Sequence, residues 1–158
     1  MTNDITIRPA RAGDADAMLE ITSRSVEGLA KAHYTPAQIK LWTEGRTADY
    51  YAAAIAKGRA HVAEQGGRVV GFVDSEPGEL TRLFILPSVA GKGLGARLME
   101  VGLAEAKRGH AGGPIRIEAT RNAVPFYEKF GFRVVGHGTF TRGEGNPPIE
   151  IVKMEGQG

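Results

Sequence analysis

Leu80-Thr81-Arg82-Leu83-Phe84-Ile85-Leu86-Pro87-Ser88-Val89-Ala90-Gly91-Lys92-Gly93-Leu94-Gly95-Ala96-Arg97-Leu98-Met99 is the stretch whose reading decides the fold. The run from Glu79 to Leu86 is apolar on both faces toward its end, as in a buried strand. Pro87 to Gly91 reads as a loop. From about Gly93 to Arg108 apolar residues return at helical spacing. Leu94, Leu98 and Val101 share one face, with Met99 and Leu103 beside them. Strand, loop and helix therefore join at Gly91-Lys92-Gly93-Leu94-Gly95-Ala96. Glycines there bare successive backbone N–H groups where a helix begins. Unpaired amides and the positive end of the helix dipole attract an anion, so a phosphate-bearing ligand is expected.

Several sites share such a turn. A Walker-type loop ends in Gly-Lys-Ser/Thr, and Ala96-Arg97 does not supply that ending. A dinucleotide fingerprint fits better on paper: Gly91, Gly93 and Ala96 satisfy G-x-G-x-x-G/A, and Glu118 follows about twenty residues on. That fingerprint wants a strand running straight into the first glycine, whereas Pro87-Ser88-Val89-Ala90 intervene here. A glycine-rich turn with no ligand also satisfies the motif alone.

Outward from this centre, the elements alternate. Ile5-Thr6-Ile7 reads as a strand and Gly13 to about Leu29 as a helix, with Asp14 and Asp16 suited to its positive first turn. Thr35-Pro36-Ala37-Gln38 has the pattern of a capped helix start. A short helix over about Ala48 to Lys57 stops at Gly58. Strands at Ala60–Glu64 and Val69–Val73 flank the hairpin turn Gln65-Gly66-Gly67-Arg68. Beyond the central helix come a strand at Ile115–Ala119 and a helix from Asn122 to Phe130, capped by Asn122 and stopped by Gly131. Strands at Phe132–Val135 and Ile149–Met154 complete the pattern. The order is that of an α/β fold on a mixed, largely antiparallel sheet.

Composition narrows the function. With no cysteine, a disulfide framework, a zinc-thiolate site and a cysteine nucleophile are excluded. A net charge of +2 with scattered basic residues gives no footprint for nucleic acid. No apolar run reaches the roughly 18 residues of a membrane span. The first residues lack a signal pattern. A cytoplasmic protein without a metal is the simplest expectation, as a monomer or a homodimer.

A second segment, Asn122-Ala123-Val124-Pro125-Phe126-Tyr127-Glu128-Lys129-Phe130-Gly131-Phe132, sharpens the choice. Together with Leu83-Phe84-Ile85-Leu86-Pro87 and the glycine turn, it resembles the GNAT superfamily of N-acetyltransferases. The resemblance extends in element order over about residues 5 to 154. Gly93 and Gly95 match the family's Gln/Arg-x-x-Gly-x-Gly/Ala motif, and Ala90 stands where its leading Gln/Arg would be. The segment His33-Tyr34-Thr35-Pro36-Ala37-Gln38 with Trp42 resembles a bacterial branch whose acceptors are small molecules.

The resemblance implies a three-layer fold with helices on both faces and a sheet splayed between the strands at 79–86 and 115–119. Acetyl-CoA lies in the splay, its pantetheine arm against backbone near Leu83, Phe84 and Ile85 and touched by Asn122. Its pyrophosphate sits on the amides of Gly91, Lys92, Gly93, Leu94, Gly95 and Ala96, with Phe126 and Lys129 nearby. Tyr127 is the general acid to the departing thiolate. The acceptor, a small-molecule or peptide amine, is placed near His33, Tyr34 and Trp42.

The chemistry agrees. A thioester is already activated, so the amine needs only a base, the oxyanion a backbone donor at Phe84 or Ile85, and the thiolate a proton. Glu79, at the head of its strand, is the first candidate base. Glu118 on the opposite strand is next, and His137 third. Glu79 suits an exposed strand end equally well, and Trp42 and Tyr127 suit simple packing. Asp74, Glu76 and Glu79 cluster near one strand end, which would favour a cationic amine. An acyl-CoA-binding module without turnover, or a nicotinamide-dependent enzyme, would use the same glycines.

Overall fold

The computed structural model describes residues 4–29, 35–37, 47–140 and 149–157. These form one seven-stranded sheet with helices on both faces. The strands are β1 (Ile5–Pro9), β2 (Ala60–Gln65), β3 (Arg68–Glu76), β4 (Glu79–Ile85), β5 (Ile115–Ala119), β6 (Arg133–Phe140) and β7 (Ile149–Gly156). Their order is β1-β2-β3-β4-β5-β7-β6, antiparallel throughout except for β4 beside β5. The helices are α1 (Ala15–Leu29), α2 (Ala48–Ala56), α3 (Leu94–Lys107) and α4 (Val124–Glu128).

Local chemistry sets most boundaries. Gly66 and Gly67 take φ of +58° and +81°, the left-handed pair that a tight hairpin needs. Gly58, next after the C-cap of α2, takes a positive φ and ends that helix, whereas α4 stops at Glu128, short of the expected Phe130, and Gly131 with its positive φ closes the turn that follows. Other boundaries differ from expectation. A 3-10 turn at Ala12–Asp14 precedes α1, and Gly93 caps α3 without joining it. The helix expected from Asn122 starts with a 3-10 turn, Arg121–Ala123, and becomes α-helical only at Val124. Its N-cap is Ala123, so the capping role expected of Asn122 is corrected. Pro125 sits in the first helical turn, where its missing N–H costs nothing, and this sets the start.

Alternation along β3 distributes the core. Val73 and Ser75 face α3, where Ser75 Oγ donates to the Gly102 carbonyl at 2.8 Å. Phe72 faces the other layer and meets the buried ring of Tyr51 on α2, with centroids 5.9 Å apart. From α1, Met18, Ile21, Thr22 and Ser25 are buried. On α3 the buried stripe is Leu94, Gly95, Leu98, Met99, Gly102, Leu103 and Ala106.

β4 is the strand that departs most from its sequence reading. Only Leu80 is buried within it, and Leu83, Phe84 and Ile85 are half-exposed. The cause is its neighbour. β4 pairs with β5 at Glu79↔Arg116 and Leu80↔Ile117 and no further. The Arg116 N–H also donates to the Gly78 carbonyl at 2.9 Å. Beyond these contacts the strands part, so the apolar end of β4 borders a gap in place of a strand.

Candidate active site

The gap is a cleft of about 220 Å³. Glu79, Thr81, Arg82, Leu83 and Phe84 line one wall. Ile117, Glu118, Ala119, Thr120, Ala123 and Tyr127 line the other, with Tyr50 and Ile151.

Backbone direction matters here as much as side chains. The Leu86 N–H donates to the Val70 carbonyl at 2.9 Å. Polar groups of an antiparallel strand alternate in direction. Phe84, paired with Phe72, therefore turns its N–H and C=O to β3, while Leu83 and Ile85 turn theirs to the gap. Of the two oxyanion donors considered, Ile85 is the one facing the cleft.

β4 runs on through a 3-10 turn, Pro87–Val89, into the glycine turn. Gly91 and Gly93 have φ of +79° and +83°, and a Cβ built on either meets nothing within 4 Å. The turn is an open cradle. The first bond of α3 runs from the Arg97 N–H to the Gly93 carbonyl at 3.3 Å, so the amides of Leu94, Gly95 and Ala96 have no acceptor within the helix. Lys92 and Ala96 are exposed. Gly95 lets Phe126 approach: a Cβ there would lie 3.0 Å from Phe126 Cε1. Arg97 turns away, donating to the Ile5 carbonyl at 2.7 Å. These residues fit a diphosphate with an extended arm behind it.

Tyr127 is buried on α4, its ring against Phe132 with centroids 6.5 Å apart. Tyr127 is protonated at neutral pH like any phenol, and burial pushes it well above the usual value, which makes it a weaker acid. Lys129 is exposed one turn on, and Asn122 lies in the 3-10 turn between the cleft residues Thr120 and Ala123.

Glu79 and Glu118 are brought together. The pairing Glu79↔Arg116 and the alternation of β5 put Glu79, Arg116 and Glu118 on one face of the sheet. Burial first, then repulsion from Glu118, holds the Glu79 carboxyl above the ordinary carboxylate range. A raised carboxylate suits a general base. His137 lines a neighbouring groove with Arg121, Gly138 and Thr139, which shares Ile151 with the cleft and includes neither Glu79 nor Glu118. His33, Tyr34 and Trp42 lie outside the described residues.

The expected acidic cluster is largely neutralised. Glu76 Oε1 accepts from Lys57 Nζ at 3.0 Å. Asp74 lies 3.3 Å from Arg82 Nη2 and is nearly buried. The charge argument for a cationic amine loses two of its three acids. Arg82 itself and the bulge that aims it went unread in the sequence. The β3–β4 register shifts between Asp74 and Ser75, leaving Thr81 as the extra residue opposite them. A bulge of this kind re-aims the side chains that follow, and nothing local in Leu80-Thr81-Arg82 signals it.

Among the described residues no group of His, Asp and Glu stands ready to hold a metal ion, and no helix is long and apolar enough to cross a membrane.

Comparison with known proteins gives the family. Residues 30–155 match the Acetyltransferase (GNAT) domain. The chain is 27% identical over 133 residues to the uncharacterized N-acetyltransferase YafP of Escherichia coli (strain K12), covering 84% of each. A GCN5-related N-acetyltransferase structure from Rhodopseudomonas palustris superposes with a TM-score of 0.83 at 22% identity, covering 99% of this chain and 98% of that one. The PaiA N-acetyltransferase of Thermoplasma acidophilum, solved with coenzyme A, gives 0.74 at 22% identity over 98% and 99%. A putative acetyltransferase of Salmonella typhimurium, yncA, solved with acetyl-CoA, gives 0.70 at 21% identity over 98% and 94%. With a family match over most of its length and the splayed sheet that goes with it, this chain belongs to the GNAT acetyltransferases and is an enzyme of that family.

Proposed function

We propose that residues 1–158 form one cytoplasmic domain that moves an acetyl group from acetyl-CoA to a primary amine by direct attack in a ternary complex. The observation that carries this reading is the parting of β4 and β5 after two paired residues, with Tyr127 in the wall of the gap. Two of the similar structures hold coenzyme A or acetyl-CoA, which supports the same ligand here. The segment with His33, Tyr34 and Trp42 supports a small-molecule acceptor.

Each residue has a task. The amides at 91–96 hold the diphosphate. Backbone of Leu83 and Ile85 takes the extended arm as a sheet takes a further strand, and the Ile85 N–H offers an oxyanion donor. Acetyl-CoA supplies an activated acyl group. Glu79 takes a proton from the acceptor ammonium, directly or through water, leaving a neutral nucleophile. Tyr127 gives its phenolic proton to the sulfur as the C–S bond breaks and regains one from the acetylated nitrogen. Such acid–base assistance is worth about 10²–10⁴-fold.

The test is coenzyme A release from acetyl-CoA with a pooled amine library, followed by initial rates against both substrates. Intersecting lines are expected. Parallel lines would exclude direct attack, and tight coenzyme binding with no release on any amine would leave an acyl-CoA-binding module.

A further inference from the structure

Arg82 is an unusual residue to find in a cleft meant for amines. The Thr81 bulge puts it opposite Asp74 and on the face that carries Glu79 and Glu118. It lines the cleft with both carboxylates. Its side chain is only 15% exposed, and its Cζ lies 5.0 Å from the centroid of the Tyr50 ring. A cation fixed this way would repel a second cationic group on an acceptor.

The described residues do not saturate it. A guanidinium offers five donors in a planar fork. Among the described residues Arg82 makes one ion pair, to Asp74 at the long distance of 3.3 Å, and its enclosed Nε has no hydrogen-bond partner. The Asp74 carboxyl stays above its ordinary range because burial outweighs the attraction of Arg82. At 3.3 Å the pair is a long one. Glu105 and Arg108, with Nη2 at 2.9 Å from Oε2, show a close pair in the same molecule.

The wall thus presents two carboxylates and, on the same face, a half-buried guanidinium held by an aromatic ring. Two carboxylates suit an ammonium, and a planar fork suits a carboxylate. We propose that the acceptor is a small zwitterion of the amino-acid class, with Glu79 and Glu118 receiving its amine and Arg82 binding its carboxylate. The inference rests on the cleft being the acetyl-transfer site. It adds Arg82 as the residue that sets specificity, and it replaces the cationic amine favoured by charge alone. A cleft of about 220 Å³, shared with the donor's arm, keeps the acceptor small.

The experiment compares alanine, leucine and phenylalanine each with its own α-carboxamide, by kcat/KM at saturating acetyl-CoA. An amide's amine loses its proton more easily, so a preference for the acid cannot come from amine basicity. Wild type is expected to prefer the acids by about tenfold or more, since a site built to bind a polar group rejects the analogue lacking it. Arg82→Gln should bring the ratio near parity, and Arg82→Lys should restore part of it. A merely structural Arg82 would lower both rates and leave the ratio unmoved. Equal use of acid and amide by wild type overturns the inference, as does an Arg82→Gln enzyme that keeps the preference. If Arg82→Gln fails to fold, the wild-type ratio and Arg82→Lys decide. If no amine of any kind is acetylated, the transfer reading fails by itself. The inference is then judged by melting of the coenzyme A complex, which an acid should raise and its amide should not; equal shifts would overturn it.

Discussion

Gly102 is the place where α3 touches the sheet most closely, and Gly102→Ala tests that contact. A methyl built there would lie 2.5 Å from Val73 Cγ2 and 2.9 Å from Leu80 Cδ1. Carbon atoms pack best at about 3.5–4.0 Å, so helix and strand would have to part by about 1 Å. Leu80 can turn a methyl aside, but Val73 is fully buried and β-branched, with its χ1 fixed. Overpacking of this kind costs about 1–3 kcal/mol. Against it stands the gain of about 1 kcal/mol for replacing glycine within a helix. At 2.5 Å the overpacking falls in the upper part of that range, about 2–3 kcal/mol, so the clash wins by about 1–2 kcal/mol. For a chain of this size that is a fall in melting temperature of roughly 2–8 °C. Urea and thermal unfolding measure it, with Gly13→Ala as the control, since a Cβ at Gly13 meets nothing within 4 Å. Because α3 carries the amides at 94–96, weaker coenzyme A binding by titration should accompany the loss. A Gly102→Ala protein as stable as wild type would refute the packing argument.

Further outcomes follow from the site and its charges. Tyr127→Phe should lower turnover by about 10²-fold or more while changing acetyl-CoA binding little, because only the proton donor is lost; unchanged turnover removes Tyr127 from the mechanism. Glu118→Gln takes away repulsion that raises Glu79, so the acid limb of the kcat/KM profile should move to lower pH. A limb that stays put, or one that survives Glu79→Gln, would show another base at work. Arg8 donates to both oxygens of Asp14, at 2.8 and 3.1 Å, and this holds the Asp14 carboxyl below its ordinary value despite burial. Stability from that pair is present above about pH 4, the unfolded carboxylate's range, and is lost as pH falls through the lower folded value. Arg8→Gln should flatten the fall of melting temperature over that acid window, and an unaltered slope would show that Asp14 does not carry it.

Much of the fold was legible because its signals are local. Gly58 ends a helix, Gly66-Gly67 turns a hairpin, and Gly93 opens α3, each through a positive φ that other residues disfavour. The cradle at 91–96 is visible for the same reason, whereas Tyr127 stands out only through the resemblance of residues 122–132 to the family. What was misread depended on neighbours. The apolar run of β4 looked buried on both faces, yet its exposure is set by β5 leaving after Leu80↔Ile117. Asp74 and Glu76 looked like a free acidic cluster, yet Arg82 and Lys57 come to them from another strand and from the residue after α2. Arg82 was overlooked because the Thr81 bulge shifts the alternation on which a strand reading depends.

The sequence by itself determined the order of elements and the glycine cradle, because short-range backbone preferences and a helix's free amides are written in neighbouring residues, and its motifs at 80–99 and 122–132 pointed to the family. Only the tertiary structure decided where two parallel strands separate, which carboxylates share a face and that the Arg82 guanidinium joins them on it. Those are relations between residues far apart in the chain, fixed when packing against α1, α2 and α3 chooses one register of the sheet over its alternatives.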